Sequence, residues 1–130
     1  MSRQERMTAA VTLVLIVVGA WFVAELRSAP SLAQPLIGAM IGAVVLTALL
    51  AGVAAGAVAL LGGRTDERDR RIAVGAQAVR GYFYLILVYA GLGYAIFAGL
   101  GPLANGLFAA ILTTEILSGL LMLVLYRRAA

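Results

Sequence analysis

The sequence predicts an all-α integral membrane protein: four transmembrane helices in an antiparallel bundle of two hairpins, forming a single membrane domain over residues 1–130. Three observations carry that expectation. Charged residues make up 12% of the chain and hydrophobic ones 63%, with mean hydropathy +1.02. A soluble domain of this size leaves too much surface in water to hide such an excess. Long apolar runs flank a polar stretch near the midpoint, Gly63-Arg64-Thr65-Asp66-Glu67-Arg68-Asp69-Arg70-Arg71. With four crossings, Arg3, Arg6, Arg64, Arg68, Arg70, Arg71, Arg80, Arg127 and Arg128 fall on one side of the membrane and Arg27 alone on the other. That bias marks the arginine-rich side as cytoplasmic, so a multi-pass plasma (inner) membrane protein with both termini in the cytoplasm is expected.

The first span covers residues 7–24, after a short head carrying Arg3 and Arg6. Eighteen residues rise roughly 27 Å, close to the thickness of a hydrocarbon core. The run also has the outline of a signal peptide. It is longer than a usual signal core, however, and Trp21-Phe22 stand where small residues precede cleavage, so a retained helix is expected. Residues 25–35 contain Pro30 and Pro35 among polar residues and read as a loop. The second span, 36–61, is rich in Ala, Gly, Val and Leu. Its spacings Gly38–Gly42 and Ala48–Gly52–Gly56 are of the kind that lets helices approach closely.

Residues 64–80 are expected to form a cytoplasmic helical connection, open to running on into the third span. Thr65 or Asp66 suits its N-cap, and Asp66–Arg70 and Glu67–Arg71 are i,i+4 pairs in the favourable order. Ile72, Ala76, Val79 and Phe83 fall on one stripe, expected to rest on the protein or the membrane surface. The third span is 81–100, with Tyr82 and Tyr84 at its cytoplasmic mouth. A short turn over 103–106, around Asn105, is expected to lead into the fourth span, 107–126.

Asp66-Glu67-Arg68-x-x-x-Ile72, just before a membrane span, resembles a motif of small prokaryotic four-span membrane proteins of uncharacterised function, where it lies on the cytoplasmic side between transmembrane pairs. The resemblance covers about 65–79 and the general layout, and it implies no particular activity.

Composition removes several chemistries. Cysteine and histidine are absent and all ten basic residues are arginines. Thiol and imidazole catalysis, their metal sites and a Lys-containing phosphate loop therefore have no parts. No enzyme, cofactor or metal is expected. The net charge of +4 reads as a topology device rather than a nucleic-acid footprint. Expected partners are the lipid bilayer and either further copies of the chain or a membrane or cytoplasmic protein.

Two sites stand out. Asp66, Glu67, Arg68, Arg70 and Arg71 form a cytoplasmic interaction motif or, in the plainer reading, a solvated helix start that sets topology. Glu115 is the one charged residue well inside a span, with Thr113, Thr114 and Ser118 beside it. An acid at that depth is either functional or a protonated link between helices, through Thr47, Tyr89 or Tyr94. The first function expected is a non-enzymatic accessory or interaction protein that works through its cytoplasmic helix. The alternative is a small proton-coupled transporter or exporter using Glu115. In size and layout the chain resembles small multidrug exporters, but their acid belongs to the first span, and this first span has none.

Overall fold

A computed structural model describes residues 2–62 and 67–128, with the side chains of 68, 69, 76, 77, 79, 80, 82–85 and 87 outside that description. The described residues fold into five helices: α1 (Arg3–Ser28), α2 (Ile37–Leu60), α3 (Glu67–Arg80), α4 (Tyr82–Phe97) and α5 (Gly101–Arg128). Three of them, α1, α2 and α5, are long and apolar enough to cross a membrane, with mean hydropathies of 2.3, 2.4 and 2.1. The described residues contain helices and no strands, and three of the helices suit a bilayer by length and composition.

Helix α1 starts earlier and ends later than residues 7–24. Ser2 caps it, its Oγ accepting the Glu5 N–H at 3.1 Å, and Glu5 occupies the position a capping box uses. At the far end Glu25, Leu26 and Arg27 stay helical. These residues favour helix. The helix stops at Ala29, which takes an extended conformation as residues before proline do.

The boundary between α4 and α5 also differs from expectation. Gly99, at φ +68, ends α4: its N–H donates to Ile96 O and the Leu100 N–H to Ala95 O. This pair of bonds is a Schellman closure, which a left-handed glycine makes cheap. Helix α5 then begins at Gly101 with Pro102 in its first turn, where a missing N–H costs nothing. The expected turn over 103–106 is therefore helix, and Asn105 lies inside α5. Gly81, at φ +51, separates α3 from α4, so the connecting helix does not run on into the next one.

Helix α1 is the hub. It packs along α2 on one side and α5 on the other, while α4 and α3 lie against α5. Phe22 and Val18 of α1 are almost wholly buried, and the Phe22 and Phe108 rings meet with centroids 4.8 Å apart. Around them gather Met40 and Ala43 of α2, Leu92 and Ala95 of α4, and Ala104 and Ile111 of α5. Three close approaches fix this packing. A side chain at Gly119 would collide with Thr12, one at Gly101 would collide with the Ala33 and Gln34 backbone, and one at Gly42 would come within 2.9 Å of Trp21. The other expected small-residue contacts are not made: a Cβ at Gly38, Gly52 or Gly56 would meet nothing within 4 Å. The reason is that α2 packs extensively on α1 alone.

Polar clasps hold the ends. The Arg6 guanidinium donates to Gly62 O at 2.9 Å, joining the start of α1 to the end of α2. At the opposite end Asn105, 3% exposed, holds the α1–α2 loop. Its Oδ1 accepts the Leu36 N–H at 2.9 Å and its Nδ2 donates to Gln34 O at 3.3 Å. Helix α2 has no side-chain cap of its own. A carboxamide, donor and acceptor at once, supplies from α5 what the loop backbone needs.

Candidate functional site

Glu115 stands at the middle of the 28-residue α5. It is half-buried and engaged in a polar interaction of its own. The space around it is set by the way α2 leans. Because α2 follows α1 and only lightly meets α4 and α5, a cavity of about 330 Å³ opens between them. Glu115 lines it from α5, Thr47 from α2, Tyr89 from α4 and Leu15 from α1. Phe108, Ile111 and Leu112 complete the α5 wall.

Three expected site residues from three helices thus share one cavity. The others are placed elsewhere. Tyr94 is 69% exposed, on the outer face of α4. The Thr114 hydroxyl donates to Ala110 O at 2.9 Å, and Thr113 makes the same bond to Ala109 O. Hydroxyls satisfied one turn back on their own helix do not tie helices together. Ser118 has a polar interaction of its own, but does not line the cavity.

A second cavity, of about 180 Å³, is also lined by Glu115. It lies between α1 and α5, lined by Thr8, Val11 and Thr12 of α1 and by Gly119 and Met122 of α5. Glu115 and Leu15 are the residues common to both cavities. A third, of about 240 Å³, continues the first toward the Asn105 end, sharing Val44 and Phe108 with it. Its remaining walls are apolar, among them Ile37 and Met40 of α2 and Leu92 and Ile96 of α4.

Thr8, Thr12 and Gly119 are site residues that the sequence does not single out, although a pattern is there. Thr8 and Thr12 are four apart on α1, and Gly119 is four beyond Glu115 on α5, so each pair shares a helix face. Which faces meet is a tertiary fact. Among the described residues no group of acidic side chains is placed to hold a metal ion.

The motif region gives a plainer picture. Glu67 and Arg71 form an ion pair at 3.3 Å with both side chains about four-fifths exposed, at 80% and 81%. Arg70 is exposed as well. Asp66, and with it the Asp66–Arg70 pair and either N-cap candidate, lies outside the described residues, as do the side chains of Arg68, Tyr82 and Tyr84. Of the expected apolar stripe, Ile72 is half-buried, and α3 does rest on α5 and α4. The side chains of Ala76, Val79 and Phe83 are not among those described.

Compared with family models, with curated proteins and with solved structures, the chain shows no match to any of them.

Proposed function

We propose that the chain is a four-crossing inner-membrane protein, with both termini cytoplasmic, that moves a small solute in exchange for protons bound at Glu115. Support for the crossings comes from charge and contacts together. The Arg6–Gly62 bond and the Trp21–Gly42 contact are what an antiparallel first hairpin requires. Helix α4 has 16 residues, about 24 Å, short for a crossing but within what local thinning of the bilayer accommodates. Cysteine scanning tests the topology without background, since no native cysteine is present. Ser31→Cys, in the α1–α2 loop, is expected to react with an impermeant maleimide in sealed cells, and Glu67→Cys only after lysis. External labelling of the Glu67 variant would overturn the orientation.

The observation that carries the transport reading is the position of Glu115, which together with Leu15 lines two cavities, one reaching α2 and α4 and one between α1 and α5. An ionised carboxylate at that depth is expensive, so such acids belong to solute and proton paths more often than to scaffolds. A carboxyl that borders two cavities suits alternating binding of a proton and a solute. In proteoliposomes a solute gradient is expected to drive proton movement, and Glu115→Gln, which keeps the shape but cannot give up a proton, is expected to abolish it. A folded Glu115→Gln variant with full coupled transport would end this reading.

The interaction reading is second. In its favour, α3 is a helix of its own, bounded by Gly81 and carrying an exposed Glu67–Arg71 pair beside Arg70. It expects a soluble partner that co-purifies with the protein and is lost when Glu67, Arg70 and Arg71 are changed together.

A further inference from the structure

The transport reading leaves the solute open, and any choice of solute rests on that reading. The walls around Glu115 narrow the choice. The cavity at Glu115 and the apolar cavity beyond it share Val44 and Phe108. Together they form one groove running from mid-bundle toward the Asn105 end, between α2 on one side and α4 and α5 on the other. Its two ends differ in chemistry. One end is lined by Glu115, Tyr89 and Thr47, the residues of the groove that carry side-chain oxygens. At the other, Ile37, Met40, Leu92 and Ile96 offer hydrocarbon and sulfur only. The groove also has an open flank. Val44 and Ile41 on its α2 wall are 59% and 60% exposed, and Tyr89 on the α4 wall is 53% exposed.

We propose that this groove binds a single-chain amphiphile with a primary amine head, the ammonium at Glu115 and the alkyl chain along Val44, Phe108 and Leu92. Charge chooses the head: one carboxylate at the polar end complements a single cation, and an anionic head would be repelled there. Hydrogen bonding chooses a primary amine over a quaternary one. A primary ammonium carries three donors, and the residues that line the polar end, Glu115, Tyr89 and Thr47, each bear a side-chain oxygen. The apolar end chooses the tail, since it has no polar side chain to satisfy a second head. Entry is sideways from the bilayer, where such a molecule already resides, through the flank that α2 leaves open. The proton and the ammonium then compete for the same carboxylate, which is the coupling a carrier needs.

A photoactivatable alkylamine with a diazirine at mid-chain tests the proposal on the full-length protein in lipid nanodiscs. Peptide mapping is expected to place the label on α2 near Val44 and on α4 near Leu92. Excess unlabelled dodecylamine is expected to compete, and dodecanol, with the same chain and no charge, is not. Glu115→Gln should cut labelling about tenfold, in line with loss of a charge-assisted hydrogen bond. Val44→Trp, which fills the groove without touching the packed core, should remove the label from α4 while Glu115 is intact. Label spread evenly over all lipid-facing helices, equal competition by dodecanol, or unchanged labelling in Glu115→Gln would each overturn the proposal. So would α2-to-α2 cross-links showing that a second copy of the chain fills the groove. Coupled transport lost in Glu115→Gln with no groove labelling would sink the amphiphile and leave the carrier standing. Specific labelling with transport intact in Glu115→Gln would do the reverse.

Discussion

Helix α1 makes two seams, and they are built differently. Along α5 it is pressed close: Thr12 sits against Gly119, and Phe22 packs its ring on Phe108. Along α2 it packs as extensively, with Trp21 against Gly42, but on the far side of α2 the groove opens toward α4 and α5. In a bilayer, helices gain little from merely hiding hydrocarbon, because lipid tails are as apolar as leucine. Contact area and hydrogen bonds must hold them together. The α1–α5 seam has the fit that such association needs. The α2 flank lacks it and has space instead, beside the one acid of the inner span.

Adding bulk on each side would break or sharpen this contrast. Gly119→Leu is expected to have the largest effect, because the new side chain must displace Thr12 and with it α1. A cost of about 1–3 kcal/mol or more is typical of such overpacking, read as a loss of monodisperse folded protein and a lowered Tm in detergent. A companion Thr12→Ala change should recover part of it, and no recovery would mean that the two positions do not meet. Asn105→Ala comes next. It strands the Leu36 N–H and the Gln34 carbonyl, and about 1–2 kcal/mol is expected, with faster proteolysis in the α1–α2 loop as the local readout. Val44→Trp adds a volume comparable to that of Gly119→Leu, but into the groove, and should change stability by less than about 0.5 kcal/mol. A large loss there would mean that the groove is closed in the folded protein. Glu67→Ala is the smallest, about 0.3–0.5 kcal/mol, as for an exposed i,i+4 pair. A larger cost would show that Glu67 has a role beyond its pair with Arg71.

Much of the fold is legible in the sequence because the bilayer imposes it. Apolar length alone locates α1, α2 and α5. Expectation and structure part where local chemistry has two readings. Gly99, Gly101 and Pro102 read together as a helix end, with a turn to follow around Asn105. Gly99 does end a helix, but Pro102 begins the next, which moves Asn105 from an exposed turn into a buried clasp. The site is legible in part for a similar reason. Depth in a span can be counted, and counting puts Glu115 level with about Gly91, with Tyr89 and Tyr94 within a turn or so on either side. Counting does not say which way a helix is rotated, so Tyr94, at a comparable depth, groups with Glu115 by sequence although it faces outward. The same limit hides Thr12 and Gly119, whose contact depends on the rotation of both α1 and α5.

The Asn105 clasp has a consequence for how the protein is made. Its partners Leu36 and Gln34 precede it by 69 and 71 residues. A ribosome adding about 5–20 residues per second needs on the order of 3–14 s to cover that distance. Within this interval α2 is completed at Leu60, and from then until Asn105 is added the Leu36 N–H and the Gln34 carbonyl lack the partner that α5 supplies. The first hairpin therefore waits in an unfinished form until the last helix arrives. Any quality-control protease that reads exposed loops on that side of the membrane has those seconds in which to act.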